Sequence, residues 1–204
     1  ICSRYEKWII ADEIHCDLVR KEVTHYPLEK VASEYKDQII TCVAPSKTFN
    51  LAGLAISTII INNPAYKEAW DREANGRLSI GMANPLSIKA LIAAYNEGED
   101  WLGQANDYLD QNINFAVAYI KENIPGARVI YPEGTYLLWV DLTAYFQNHK
   151  ELERLMLNKA KLILDEGYFF GEEGIGFERI NVACPRSTLS ECLKRMKEAL
   201  LTEL

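Results

Sequence analysis

No apolar run in this sequence approaches the roughly 20 residues that a helix needs to cross a bilayer, and the longest, around residues 56–61, is strand-sized. Positive charge is scarce: 22 Lys and Arg stand against 29 Asp and Glu, for a net charge of −7. A phosphate backbone needs clustered cations, so this balance argues against a nucleic-acid partner. The five cysteines are odd in number, and no two have C-x-x-C spacing. With no signal peptide in view, that predicts reduced thiols in a cytoplasmic protein, packed as small hydrophobes. His15-Cys16-Asp17 comes nearest to a metal cluster, but no second His/Cys group stands at ligand spacing, so no metal is expected. Internal repeats and low-complexity segments are also missing.

What remains is ordinary globular material. Hydrophobic residues make up 49% and charged residues 25% of 204 positions, enough for one large domain or two small ones. Three short apolar runs, at 7–11, 38–43 and 54–62, are nearly continuous rather than alternating. They predict buried strands of a sheet covered on both faces, in an α/β layer architecture. Helical periodicity follows at 65–77 and over a long stretch from 86 to 123, with breaks expected near Gly98 and Gly103. Pro125-Gly126 is the clearest break and marks a domain boundary. Beyond it the pattern predicts strands at 128–131, 136–142 and 177–183 and helices at 150–166 and 189–201, a small α+β unit. The chain opens on Ile1 rather than Met, inside what reads as the end of a helix, so a fragment is expected.

Two residues suggest chemistry. Lys47 follows the second apolar run in Ala44-Pro45-Ser46-Lys47, and an amine held at a strand end beside a partly dry site is available for Schiff-base chemistry. Asp12 closes the first run, and the carboxyl ends of strands in open α/β sheets are where ligand-binding groups gather. A carboxylate there can keep a pyridine nitrogen protonated, which a pyridoxal-type electron sink requires. Each signal alone is weak. Glu13 reads as structural, the acidic Gly171–Gly176 stretch as a turn rather than a phosphate cradle, and Trp70, Trp101 and Trp139 as core. Asn84-Pro85-Leu86-Ser87 reads as a helix start.

Four segments together are recognisable: ADEIHCDL (11–18), APSKTFNLAG (44–53), PEGTYLLWVDL (132–142) and GFERINVACPRS (176–187). They resemble fold-type-I pyridoxal-phosphate enzymes of the class I/II aminotransferase superfamily. Within it they look like the cystathionine β-lyase branch typified by MalY, PatB and cystalysin. The resemblance runs over essentially the whole chain and identifies it as a C-terminal part. It implies a partial cofactor-binding large domain with an interdomain helix over 1–124 and a small domain over 125–204. It also implies pyridoxal 5′-phosphate as cofactor, a homodimer, and an amino-acid substrate.

By the same resemblance, Lys47 carries the cofactor and moves the substrate α-proton, and Asp12 pairs with the pyridine nitrogen. His15 stands where a donor to the ring 3′-oxygen is found, Ser46 serves the phosphate, and Arg179 grips the substrate α-carboxylate with its planar fork. Arg186 is either a support for that carboxylate site or a surface charge, and Tyr136 is either near the site or packing. Aminotransferases carry a phosphate-binding Arg two residues after the glycine of the lysine segment, and this chain has Ala55 there. That departure favours C–S β-elimination, yielding pyruvate, ammonia and a thiol, over amino transfer. An aminotransferase remains the alternative, as does a partner-binding regulatory protein of the same fold. Lacking the upstream half, these 204 residues alone are expected to bind the cofactor weakly and to turn over little.

Overall fold

A computed structural model describes residues 1–146 and 148–202, and it divides the chain into two compact units, Ile1–Gln104 and Ala105–Leu204. Among the described residues, no helix is long and apolar enough to cross a membrane.

The first unit is built on three strands, β1 (Ile9–Asp12), β2 (Ile39–Val43) and β3 (Thr58–Ile61), whose isoleucine-rich runs suit a pleated surface. β1 lies parallel to β2, with Ile9 beside Ile39 and Asp12 beside Cys42, and β3 returns antiparallel. Burial alternates along each strand instead of running continuously: Ile39 is 2% exposed, whereas Ile10 is 71% exposed. The expected sheet covered on both faces is therefore, within this chain, covered on one. The third apolar run is also shorter as a strand than expected. Ala52–Leu54 form a 3₁₀ turn and Ala55 adopts a left-handed conformation (φ 46°, ψ 50°), so pairing begins only at Thr58.

Two helices that follow these strands start on asparagine caps. The single turns α1 (Leu28–Val31) and α2 (Pro45–Thr48) precede α3 (Pro64–Asp71), where the Asn63 side chain accepts from the amides of Ala65 and Tyr66. A wide turn, Arg72–Arg77, extends α3. α4 (Pro85–Glu97) opens with Asn84 accepting from Leu86 N and with Pro at its first position, as the sequence predicts. Its break falls at Gly98, where a Cβ would stand 2.4 Å from Ala94 O and 2.6 Å from the Phe49 ring. Gly103 has open space around it and sits uninterrupted inside α5 (Glu99–Asn123), so the second expected break is absent.

In the second unit β4 (Arg128–Ile130), β5 (Leu137–Asp141), β6 (Asp165–Glu166) and β7 (Phe177–Asn181) form an antiparallel sheet in the order β4-β5-β7-β6. α5 contributes Ile113, Ala116 and Ile120 to its core, the 3–4 spacing of one helix face. α6 (His149–Leu155) adds Leu152 and Leu155, and α7 (Arg186–Leu201) adds Leu189, Leu193, Met196 and Leu200. The latter part of α5 packs with this sheet, and the second compact unit accordingly begins at Ala105. The helix predicted over 150–166 ends early. A wide turn, Met156–Ala160, leads to Lys161 in the left-handed region, and Asp165-Glu166 pair with β7 instead.

Candidate active site

Parallel pairing opens the carboxyl ends of β1 and β2 on the same edge of the sheet, and the two segments that leave them carry four of the singled-out residues. After Asp12 the chain continues one further rung, with Glu13 N donating to Cys42 O at 2.9 Å. It then folds through successive turns, Cys16 N to Glu13 O and Leu18 N to His15 O, and is anchored by the buried Leu18. After Val43 it enters α2, whose Pro45 is pre-set for a first helical position and accepts Phe49 N at 2.9 Å. α2 carries Ser46 and Lys47.

One side-chain bond ties these segments. Thr48, buried, donates from Oγ1 to Asp17 Oδ2 at 2.9 Å. Beneath them Phe49 packs edge-on to Tyr95, with ring centroids 5.2 Å apart, and against Trp101. From α4 the buried Ser87 hydroxyl donates to Leu54 O at 2.7 Å, holding the chain just before Ala55. Thr48 and Tyr95 were not singled out from the sequence, and Asp17 and Ser87 were named there only within a dismissed metal-like triplet and a helix start. A short polar side chain bonded 31 residues away leaves no local signature.

The donor set at this edge is chemically mixed. Asp12 is exposed, with Oδ1 accepting from Ile14 N at 3.3 Å, and its Oδ2 has no hydrogen-bond partner among the described residues. Lys47 is half-buried, and among the described residues its Nζ is in no ion pair or hydrogen bond. Ser46 and His15 are half-buried too, and His15 Nδ1 is enclosed. An amine, a carboxylate, a hydroxyl and an imidazole on one edge form a set that fits an aldehyde-bearing pyridine phosphate.

Neighbouring groups are otherwise engaged. Glu13 is structural, accepting from Leu28 N at 2.8 Å and lying 3.2 Å from His25 Nε2. Burial, followed by the charge of Asp17, pushes the Cys16 thiol up to about 11, so it stays protonated. All five cysteines are free, and each is partly buried rather than fully so. Trp70 and Trp101, expected in the core, are 40% and 50% exposed, respectively.

Arg179 belongs to the second unit, in the middle of β7. Its Nε and Nη2 both donate to Asp165 Oδ2, at 3.0 and 2.9 Å, and its guanidinium lies 4.6 Å from the centre of the Phe170 ring. Tyr136 has its hydroxyl pKa raised by burial and, to a lesser degree, lowered by the Arg179 charge, which puts it near that residue. Arg186 is half-buried rather than an exposed surface charge. Its Nε donates to Asn112 Oδ1 at 2.7 Å, its backbone amide donates to Tyr108, and it covers the Phe115 ring, tying α7 to α5.

The sequence profile of the aminotransferase class I and II family matches residues 1–196. The chain is 37% identical over 200 residues to cystathionine beta-lyase PatB of Bacillus subtilis, covering 98% of this chain and 51% of that protein. Among solved structures, a PLP-bound protein of Clostridium difficile 630 that bears an aminotransferase name superposes with a TM-score of 0.94. It is 44% identical, covering 98% of this chain and 51% of that one. Cystalysin from Treponema denticola, which contains a pyridoxal 5′-phosphate cofactor, superposes with a TM-score of 0.92 at 38% identity, covering 97% of this chain and 50% of its own. The chain thus spans about half the length of the curated relatives it matches. Its mixed α/β architecture and a match that runs through both units carry one conclusion: the chain belongs to the aminotransferase class I and II family.

Proposed function

We propose that this chain is part of a pyridoxal-phosphate-dependent carbon–sulfur β-lyase that acts on cystathionine or cysteine S-conjugates and releases pyruvate, ammonia and a thiol. The observation that carries the proposal is the placement of Asp12 at the end of β1 and of Lys47 in α2, just past the end of the adjacent parallel strand β2, with Ala55 where an aminotransferase has its phosphate-binding Arg. Relatives named cystathionine beta-lyase, from Bacillus subtilis and Corynebacterium glutamicum, support it. The aminotransferase name of the Clostridium protein keeps amino transfer as the second reading.

When bound, pyridoxal phosphate supplies an electron sink for negative charge at the substrate α-carbon. Asp12 would hold the ring nitrogen protonated through its open Oδ2, and Lys47 Nζ would carry the aldehyde carbon. Ser46 Oγ would donate to the phosphate, and His15 would serve the ring 3′-oxygen. Lys47 Nζ, as a free amine, would be the base for the α-proton. Arg179 would hold the α-carboxylate by paired N–H donors. The large-domain and small-domain division at 124/125, a homodimer and a cytoplasmic location belong to the same proposal.

Borohydride reduction in the presence of pyridoxal phosphate, followed by peptide mapping, tests the site: label is expected on Lys47, and label on another lysine overturns the assignment. Pyruvate release from cystathionine against amino transfer to a keto acid separates the two reactions.

A further inference from the structure

The guanidinium of Arg179 is held on two sides by this chain itself. Register across β6 and β7 sets Asp165 opposite Arg179, and a single carboxylate oxygen, Asp165 Oδ2, takes both Nε–H and one Nη2–H. Phe170 lies against the guanidinium at 4.6 Å and is braced edge-on by Trp139, which in turn stacks on Phe177. The short strand that brings Asp165 there is pinned by a close backbone contact. A Cβ on Gly167 would stand 2.0 Å from Gly174 O, and one on Gly174 would stand 2.1 Å from Gly167 O.

Arginine has five N–H donors in a rigid plane. With the Nε side taken, the end formed by Nη1 and the second Nη2 hydrogen has no partner among the described residues. That end alone offers two parallel donors to another carboxylate. An arginine side chain left unbraced would spend rotamer freedom on each binding event, and a carboxylate that orients it beforehand removes that cost.

We propose that Asp165 is a positioning residue for substrate recognition: it fixes Arg179, with Phe170, so that the substrate α-carboxylate is taken end-on by Nη1 and Nη2. This inference rests on the reading of Arg179 as the carboxylate-binding residue. Asp165 touches neither the reacting carbon nor the cofactor in this scheme, so it acts on affinity for the carboxylate and not on proton transfer.

The test is calorimetric titration of the holoenzyme with L-alanine, which has no leaving group, and with ethylamine, the same amine without the carboxylate. Asp165→Asn is expected to raise the Kd for L-alanine about tenfold while leaving that for ethylamine within about twofold. With cystathionine, KM should rise with kcat nearly unchanged. Arg179→Lys is the separate check on the underlying reading, and unchanged L-alanine affinity in that variant removes the reading and the proposal together. If Arg179→Lys weakens L-alanine but Asp165→Asn does not, the reading stands and the positioning role is overturned. Tighter L-alanine binding by Asp165→Asn also overturns it, because Asp165 would then be a competitor for the guanidinium. Should Asp165→Asn fail to fold, Asp165→Glu carries the same test, since it keeps the charge and displaces it by one methylene. Weakening confined to L-alanine supports the proposal, and equal affinity for both ligands relative to wild type refutes it.

Discussion

Glu178 of β7 stands opposite Glu166 of β6, and both carboxyls are buried on the face of the sheet opposite to the Asp165–Arg179 pair. Burial, then the charge of Glu166, pushes Glu178 up to about 9, and Glu153 and Asp165 add to the effect. Glu166 is raised by burial too, with Glu178 opposing and Glu153 reinforcing the shift. Glu178 Oε1 and Oε2 are enclosed with no hydrogen-bond partner among the described residues, and a carboxyl in that setting beside a second carboxyl keeps its proton.

The sign of the pH dependence follows. Folded Glu178 keeps a proton that the unfolded chain releases near the ordinary carboxylate value of 4.5. Its contribution to stability is fully present below that value and is lost as pH rises toward about 9. Glu178→Gln keeps the shape and removes the titrating group, and with it the linkage. Its melting temperature should exceed that of wild type by a margin that widens with pH, reaching several degrees at the alkaline end. A margin that stays constant across the range contradicts the assignment.

Asn112 is fully buried in α5 and acts as a three-way tie. Its Nδ2 donates to Val182 O and Cys184 O at 2.8 and 2.9 Å, and its Oδ1 accepts from Arg186 Nε at 2.7 Å. Asn112→Ala strands two carbonyls and a guanidinium N–H at once, and the expected loss is roughly 3 kcal/mol. Asn112→Asp should do nearly as badly, since a carboxylate cannot donate to the carbonyls. Urea unfolding measures both, and a loss below about 1 kcal/mol for the alanine variant rejects the tie.

Much of the architecture was legible because it is local. Apolar runs ending in Asp12 and Val43 announced β1 and β2, and Asn84-Pro85 announced the start of α4. What escaped was set by partners far along the chain. Asp165 and Glu166 read as the tail of a helix, yet pairing with β7 makes them a strand that carries an ion pair on one face and a buried carboxyl on the other. Leu54 and Ala55 sit in an apolar run that favours a strand, but the Ser87 hydroxyl and a left-handed turn claim the backbone there. Lys47 and Asp12 could be placed at strand ends from sequence. The bond that holds their two segments together could not, because nothing in Thr48 or Asp17 points to the other.

That bond gives the last prediction. Thr48→Val is nearly isosteric and deletes only the hydroxyl that Asp17 accepts, so the buried site loses one charge-assisted bond, worth about 1.5–3 kcal/mol, without a cavity. Thr48→Ser retains the donor and should stay near wild type. Because Thr48 follows Lys47 directly in α2, the valine variant should also release pyridoxal phosphate more readily than the serine variant, by about tenfold in Kd measured by cofactor fluorescence. Asn112→Ala, in the other unit, serves as the comparison for general destabilisation. If valine at 48 weakens the fold yet holds the cofactor as tightly as Asn112→Ala does, the Thr48–Asp17 bond is a stability feature and does not order the lysine segment.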